Sequence, residues 1–258
     1  MLRRLLPLLA LAGMLAACAG SSPALSDPKE IIAKGLEATA NLKSFHLELT
    51  VDGTAKDPSS GTSIPLSGTS VTGDVDLAAK KVGATFSLAG ISGEARLIDT
   101  AAYLKTALTG PGWVKSDVTP TASSDPVAAL GDLKASIEKV RAFLDRDGVE
   151  SRLLDQATCN DRACYHVKVT ISPELLDTTA ADAGQSSMAP STLLPDGLAL
   201  DLFFDREKLY LSRVAVDLTG SKVGDVSAAL AFTKFDEPVT IDAPPPDQVT
   251  EGGGLTLP

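Results

Sequence analysis

The sequence reads as an α+β protein dominated by antiparallel meanders, with a few amphipathic helices packed on the sheet. Three observations carry this. Strict alternation recurs along most of the chain, as in Phe45, Leu47, Leu49 and Val51 against His46, Glu48, Thr50 and Asp52; period two over eight residues makes a strand with one dry and one wet face. Turns rich in Gly, Pro and Ser separate these runs, which favours hairpins over crossover helices. Apolar residues at three- and four-residue steps recur strongly in only two stretches, near 28–42 and 126–144, so helices are few.

At the N-terminus Arg3 and Arg4 precede an apolar run from Leu5 to Leu15, the layout of an export signal. The run is shorter than the ~20 residues a membrane span needs. Leu15-Ala16-Ala17 then leads into Cys18. That order resembles a bacterial lipobox. The resemblance implies cleavage before Cys18 and a diacylglycerol on its sulfur. Residues 1–17 would be a lipoprotein signal peptide, 18–26 a lipidated N-terminus and spacer, and the mature chain extracytoplasmic and anchored to the cell membrane. The chain has 258 residues, with 23 Lys+Arg against 33 Asp+Glu and a net charge of −10. Such acidity argues against nucleic acid as a partner. It equally argues against docking on anionic lipid by charge alone, so the expected tether is covalent.

The first helix is expected over 28–42: Asp27 caps, Pro28 takes the first helical position, and Glu30 sits where a capping-box acid belongs. Strands follow from Phe45, Val71, Val82, Ile91 and Tyr103, and Trp113-Val114 starts a short edge strand. Asp125-Pro126 opens a second helix, with Leu130, Leu133, Ile137, Val140 and Leu144 on one face. Strands return at 149–154 and 165–171, and Ser172-Pro173-Glu174-Leu175-Leu176 suggests a short helix start. Residues 178–196 show little periodicity and read as a long loop, either a lid or a disordered insertion. Alternation from Leu198, Tyr210 and Val226 makes the last meander, Val239–Ile241 adds an edge, and 247–258 is a flexible tail.

Small residues crowd the dry faces, and only 4% of the chain is aromatic. Because packed interiors tolerate few voids, either helices or a ligand must fill the space. Cys159 and Cys164 bracket a four-residue loop between two strands. In an exported chain this pair reads as a disulfide. Redox work lacks the C-x-x-C spacing, and a metal site has only His166 nearby. His46 and His166 sit mid-strand on wet faces, and no nucleophile elbow, zinc-protease helix, phosphate loop or calcium loop is present. Catalytic and metal sites and cofactors are therefore not expected, and the chain is not read as an enzyme. Asp74, Asp76 and Asp201 read as solvated charge, with calcium the remote alternative. Trp113 reads as a sheet-edge anchor, with a ligand platform as the alternative.

The order of elements also resembles the LppX/LprAFG family of bacterial lipoproteins, whose fold is similar to the LolA half-barrel. The residues that carry it are the lipobox ending in Cys18 and the helix running into 41–53 (NLKSFHLELTVDG). Tyr103-Leu104, Trp113 and 233–241 (TKFDEPVTI) before a proline-rich end complete it. The resemblance spans 28–246, so the domain is taken as 27–246. It implies a strongly curved antiparallel sheet, a half-barrel, with helices covering or plugging the concave face. It further implies a hydrophobic cavity that holds an acylated lipid or glycolipid and carries it within the cell envelope, with an envelope transporter or acceptor protein as partner. The dry-face positions nominated for lipid are Leu47, Leu49, Val75, Phe86 and Leu88. The Cys159–Cys164 pair and the length of 178–196 depart from the family pattern. The other function class open at this stage is a non-enzymatic scaffold or sensor that binds another envelope protein through an exposed patch.

Overall fold

The computed structural model describes residues 25–57, 60–88, 90–117, 133–182 and 189–252, with backbone only for 133–137. The signal segment 1–17, Cys18 and the spacer to 24 lie outside the described residues. So do the helix start at Asp125-Pro126 with Leu130, the side chains of Leu133 and Ile137, the centre of 178–196 and the last six residues.

Helix α1 spans Pro28–Ala40, and the Asp27 carboxylate caps it by accepting from the Lys29 amide at 2.9 Å. Glu30 closes no capping box; it pairs with Lys34 one turn on, at 2.8 Å. The first meander is β1 (Ser44–Lys56), with the short β2 (Ser63–Pro65) on its end, then β3 (Thr69–Asp76), β4 (Lys81–Leu88), β5 (Ile91–Ile98), β6 (Ala101–Thr106) and β7 (Trp113–Asp117). Helix α2 (Leu133–Leu144) leads to β8 (Val149–Leu153), β9 (Ala157–Cys159) and β10 (Arg162–Ile171). Helices α3 (Pro173–Asp182) and α4 (Pro190–Leu193) precede β11 (Leu198–Asp205), β12 (Leu211–Asp217) and β13 (Gly224–Thr233). A 3-10 turn at Pro246–Gln248 and β14 (Val249–Glu251) end the described chain.

All strands join one curved, unclosed sheet, ordered β14-β7-β6-β5-β4-β3-β1-β13-β12-β11-β10-β8. The ten-residue ladder between β1 and β13 fuses the first and last meanders. Every pairing on this path is antiparallel except β14 on β7. The helices pack on the half of the sheet built from β8, β10, β11 and β12. There Ile31 and Ile32 of α1 and Leu144 of α2 meet Val167, Val169, Ile171 and Phe204. The approach is close: a Cβ on Gly35 would overlap the Phe204 ring, so only glycine fits at that point of α1.

Four expectations need correction. The 178–196 stretch is not one loop, because α3 runs to Asp182 and α4 turns at Pro190. The Thr178 and Thr179 hydroxyls bond carbonyls one turn back, Leu175 is buried in the core, and Asp177 accepts from both the amide and the hydroxyl of Ser191 at 2.8 and 2.6 Å. Tertiary burial and these bonds override the weak helix propensity of Thr and Asp. Val239–Ile241 pairs with no strand; it belongs to an extended strap across the outer face. There the Lys81 ammonium and Arg96 guanidinium donate to the carbonyls of Ile241 and Asp242, at 3.3 and 2.7 Å. Beyond the strap, Val249–Glu251 pairs alongside β7, so Trp113 does not lie in an edge strand and the expected tail begins as sheet.

Candidate functional site

The strand registers decide which side chains share a face. On the helix-bearing inner face, one row across the first meander is Leu49, Val71, Phe86 and Gly93. The next is Leu47, Gly73, Ala84, Ala95, Leu104 and Val114. The third is Phe45, Val75, Val82, Leu97, Ala102 and Ser116. The middle row offers only Gly73, Ala84 and Ala95 across β3–β5, between rows of larger side chains. A shallow apolar trough therefore runs across the strands. Leu47 to Leu104 covers four inter-strand steps, ~19 Å at ~4.8 Å each.

The trough floor is shaped by backbone as well as by side-chain size. A Cβ on Gly73 would lie 2.5 Å from the Gly83 carbonyl oxygen, and one on Gly93 would lie 2.5 Å from Phe86 Cζ. Phe86 thus lies flat over Gly93 on the neighbouring strand, a cross-strand pair that a larger residue would push apart.

All five nominated positions, Leu47, Leu49, Val75, Phe86 and Leu88, fall on this inner face. Val75 is buried, Leu47, Leu49 and Phe86 are half-buried, and Leu88 is exposed. Val71, Val82, Leu97 and Leu104 belong to the same surface and were not nominated. Their alternation is legible, but their place beside the other five depends on register. Among the described residues, the buried core cluster holds no side chain from β1 or β3–β7.

The outer face is polar. His46 Nδ1 lies 2.8 Å from Asp74 on β3, and His166 Nε2 lies 2.6 Å from Asp201 on β11, with Lys168 also near that carboxylate. The His166 ring stacks on Phe203 at 4.3 Å. Asp74 and Asp201 are therefore partners of histidines across the ladder rather than free solvated charge. Among the described residues no group of three or more His, Cys, Asp or Glu gathers as a metal site. Trp113 is buried on this face with the Arg96 guanidinium 4.6 Å over its ring, an anchor for the edge region. Gly83 makes room for the strap, whose Ile241 Cγ2 is 3.4 Å from where a Cβ would sit.

Cys159 and Cys164 are bonded, with Cα atoms 6.0 Å apart. The turn between β9 and β10 places Asn160 and Asp161 at φ 49° and 61°, the left-handed pair a tight hairpin requires. The Asn160 amide also donates to the Phe232 carbonyl at 3.1 Å, tying the hairpin tip to β13. No described helix is long and apolar enough to cross a membrane.

No family model and no curated sequence matches the chain. Solved structures do. Mycobacterium tuberculosis lipoprotein LppX is 17% identical with a TM-score of 0.53, over 84% of this chain and 100% of that one. LprF from Mycobacterium bovis is 17% identical with a TM-score of 0.54, over 85% and 98%. The chain has the fold of these two proteins.

Proposed function

We propose that the chain is a membrane-anchored extracytoplasmic lipoprotein that holds an acylated lipid or glycolipid on the inner face of β1 and β3–β6 and carries it within the cell envelope. The observation that carries this reading is the register itself. It sets Leu47, Leu49, Val75 and Phe86 around a floor of Gly73, Ala84 and Ala95, on a face that the buried core does not use. An acyl chain laid there would gain the ~25 cal/mol per Å² of any apolar surface leaving water. The shared fold with two lipoproteins supports the same reading, and Cys18 is the residue that would bear the anchor.

The role asks for no catalytic group. The protein supplies a shape and an apolar surface, and the anchor limits diffusion to the membrane plane. Envelope transporters or acceptor proteins would load and unload it. The test is native mass spectrometry of protein purified from its own host, with intact-mass analysis of the N-terminal peptide. Co-purifying lipid and a diacylglyceryl mass on Cys18 are expected. Recovery without lipid, and without uptake of added lipid, would remove the carrier reading and leave the protein-binding scaffold.

A further inference from the structure

One rim of the first meander differs from the rest of the molecule in charge. It is the rim where β1, β4 and β6 end and β3, β5 and β7 begin. The chain is 22% charged, yet no charged residue lies between Asp57 and Asp74, between Lys81 and Glu94, or between Lys105 and Lys115. Those stretches hold the β4–β5 and β6–β7 turns and most of the β1–β3 connection; the charges at this level are Lys56 and Asp57 at the end of β1 and Asp247 just before β14. The turns at the other end of the same strands carry Lys43, Asp76, Lys80, Lys81 and Asp99. At the same level of the second meander the turns hold Asp145, Arg146, Asp147, Asp196, Asp217, Lys222 and Asp225.

The rim also concentrates exposed apolar side chains. Leu108 is 79% exposed, Leu88 55%, Ile64 46% and Ile91 39%, four of the six large exposed apolar residues among the described residues. Leu88 and Ile91 pair across the β4–β5 turn, on the inner face, one register step beyond Phe86. The apolar surface thus continues past the row of Leu49, Val71 and Phe86 onto the rim.

We infer that this rim is a lip that dips into the surface of a lipid bilayer, and that the trough fills and empties across it. The second clause rests on the carrier reading; the first does not. Shallow insertion needs exposed Leu and Ile at turn tips and no charge that must be stripped of water. The β4–β5 and β6–β7 turns meet both conditions in a protein whose net charge of −10 is repelled by anionic headgroups elsewhere. A contiguous apolar edge of this kind is otherwise a liability on a soluble surface.

The probe is a vesicle of neutral phosphatidylcholine. The protein is the chain from residue 18 with Cys18→Ser, which keeps every described residue and lacks an acyl anchor. An environment-sensitive dye is placed at Leu108→Cys or, as a control on the other meander, at the exposed Thr219→Cys. The dye at 108 is expected to shift to the blue and to be quenched by brominated lipid, while the dye at 219 does neither. Leu88→Asn with Ile91→Asn is expected to weaken vesicle partitioning by about tenfold or more, since each such side chain entering lipid is worth roughly a factor of ten. An unchanged melting temperature certifies the fold of that variant, because both side chains are exposed. No partitioning, equal response at 108 and 219, or indifference to the double variant overturns the lip. Bound lipid is read separately, on the parent protein, by native mass spectrometry. Its absence there would sink the carrier while leaving the lip judged by the vesicles.

Discussion

The two halves of the sheet share one inner face and one alternation, yet they put it to different use. In the half built from β8 and β10–β12, Val167 and Phe204 are fully buried under α1 and α2. In the half built from β3–β6, the equivalent positions are Gly73, Ala84, Ala95, Val82 and Leu97, mostly half-buried. Val82 is as large as Val167 and Leu97 is larger, yet only Val167 is fully buried. Helix cover among the described residues, rather than hydrophobic period, separates core from candidate ligand surface, and the row of Gly73, Ala84 and Ala95 leaves the trough.

Phenylalanine occurs on the inner face of both halves, which allows the contrast to be broken directly. Phe204→Ala should destabilise by about 3–5 kcal/mol, as for other fully buried aromatics. Phe86→Ala should lose only about 1 kcal/mol, because part of that ring already meets water. Chemical denaturation of the two variants measures both. Equal losses would mean that the first half is an ordinary core and that the trough is not a separate surface.

The second expected effect belongs to the helix-covered half alone. Breaking the Cys159–Cys164 bond, with Cys159→Ala and Cys164→Ala together, should reduce stability by about 2 kcal/mol, the entropy of a short closed loop. Lipid content should not change, since the hairpin lies against the outer face. A loss of bound lipid in this variant would show that the two halves are coupled.

Filling the trough sharpens the comparison from the other side. Ala84→Leu and Ala95→Leu add volume to a surface that no described helix seals. Stability should shift by no more than about 1 kcal/mol, while uptake of added lipid should fall severely in a native mass spectrum. Strong destabilisation with unchanged uptake would contradict the assignment of that face.

The smallest effect concerns acid. Hydrogen bonds from the hydroxyl and amide of Ser191 hold the Asp177 carboxyl below its ordinary value near 3.8. A carboxylate depressed on folding contributes stability above its unfolded value and loses it as pH falls through the folded one. The melting temperature of Asp177→Asn should therefore fall behind the parent above about pH 4 and converge on it as acid protonates the parent's carboxylate. Parallel curves across that window would mean that the bonds joining α3 to α4 do not persist in solution.

Most elements were legible because their signals are local. Asp27 and Pro28 announce α1, strict alternation marks β1, β10 and β11, and two cysteines around a turn announce the hairpin. The start of helix α3 is legible at 172–176, but its continuation was missed because Thr178 and Thr179 look like loop residues until their hydroxyls find carbonyls one turn back and Leu175 finds the core. Strand β14 was missed because three residues after a polyproline run carry no period of their own. They become sheet only because the strap delivers them beside Trp113. Val71, Val82, Leu97 and Leu104 escaped nomination for a related reason: alternation says which residues share a strand face, not which neighbour on the next strand each one meets.

Composition and period, both properties of the chain read a few residues at a time, determined an acidic α+β protein with two meanders and a surplus of small residues on the dry faces. Tertiary structure alone decided where those small residues line up. A trough needs Gly73, Ala84 and Ala95 at one level, and a lip needs three separate turns at one edge. Residues far apart in sequence reach a common level only through strand register, which is set by the ladder as a whole.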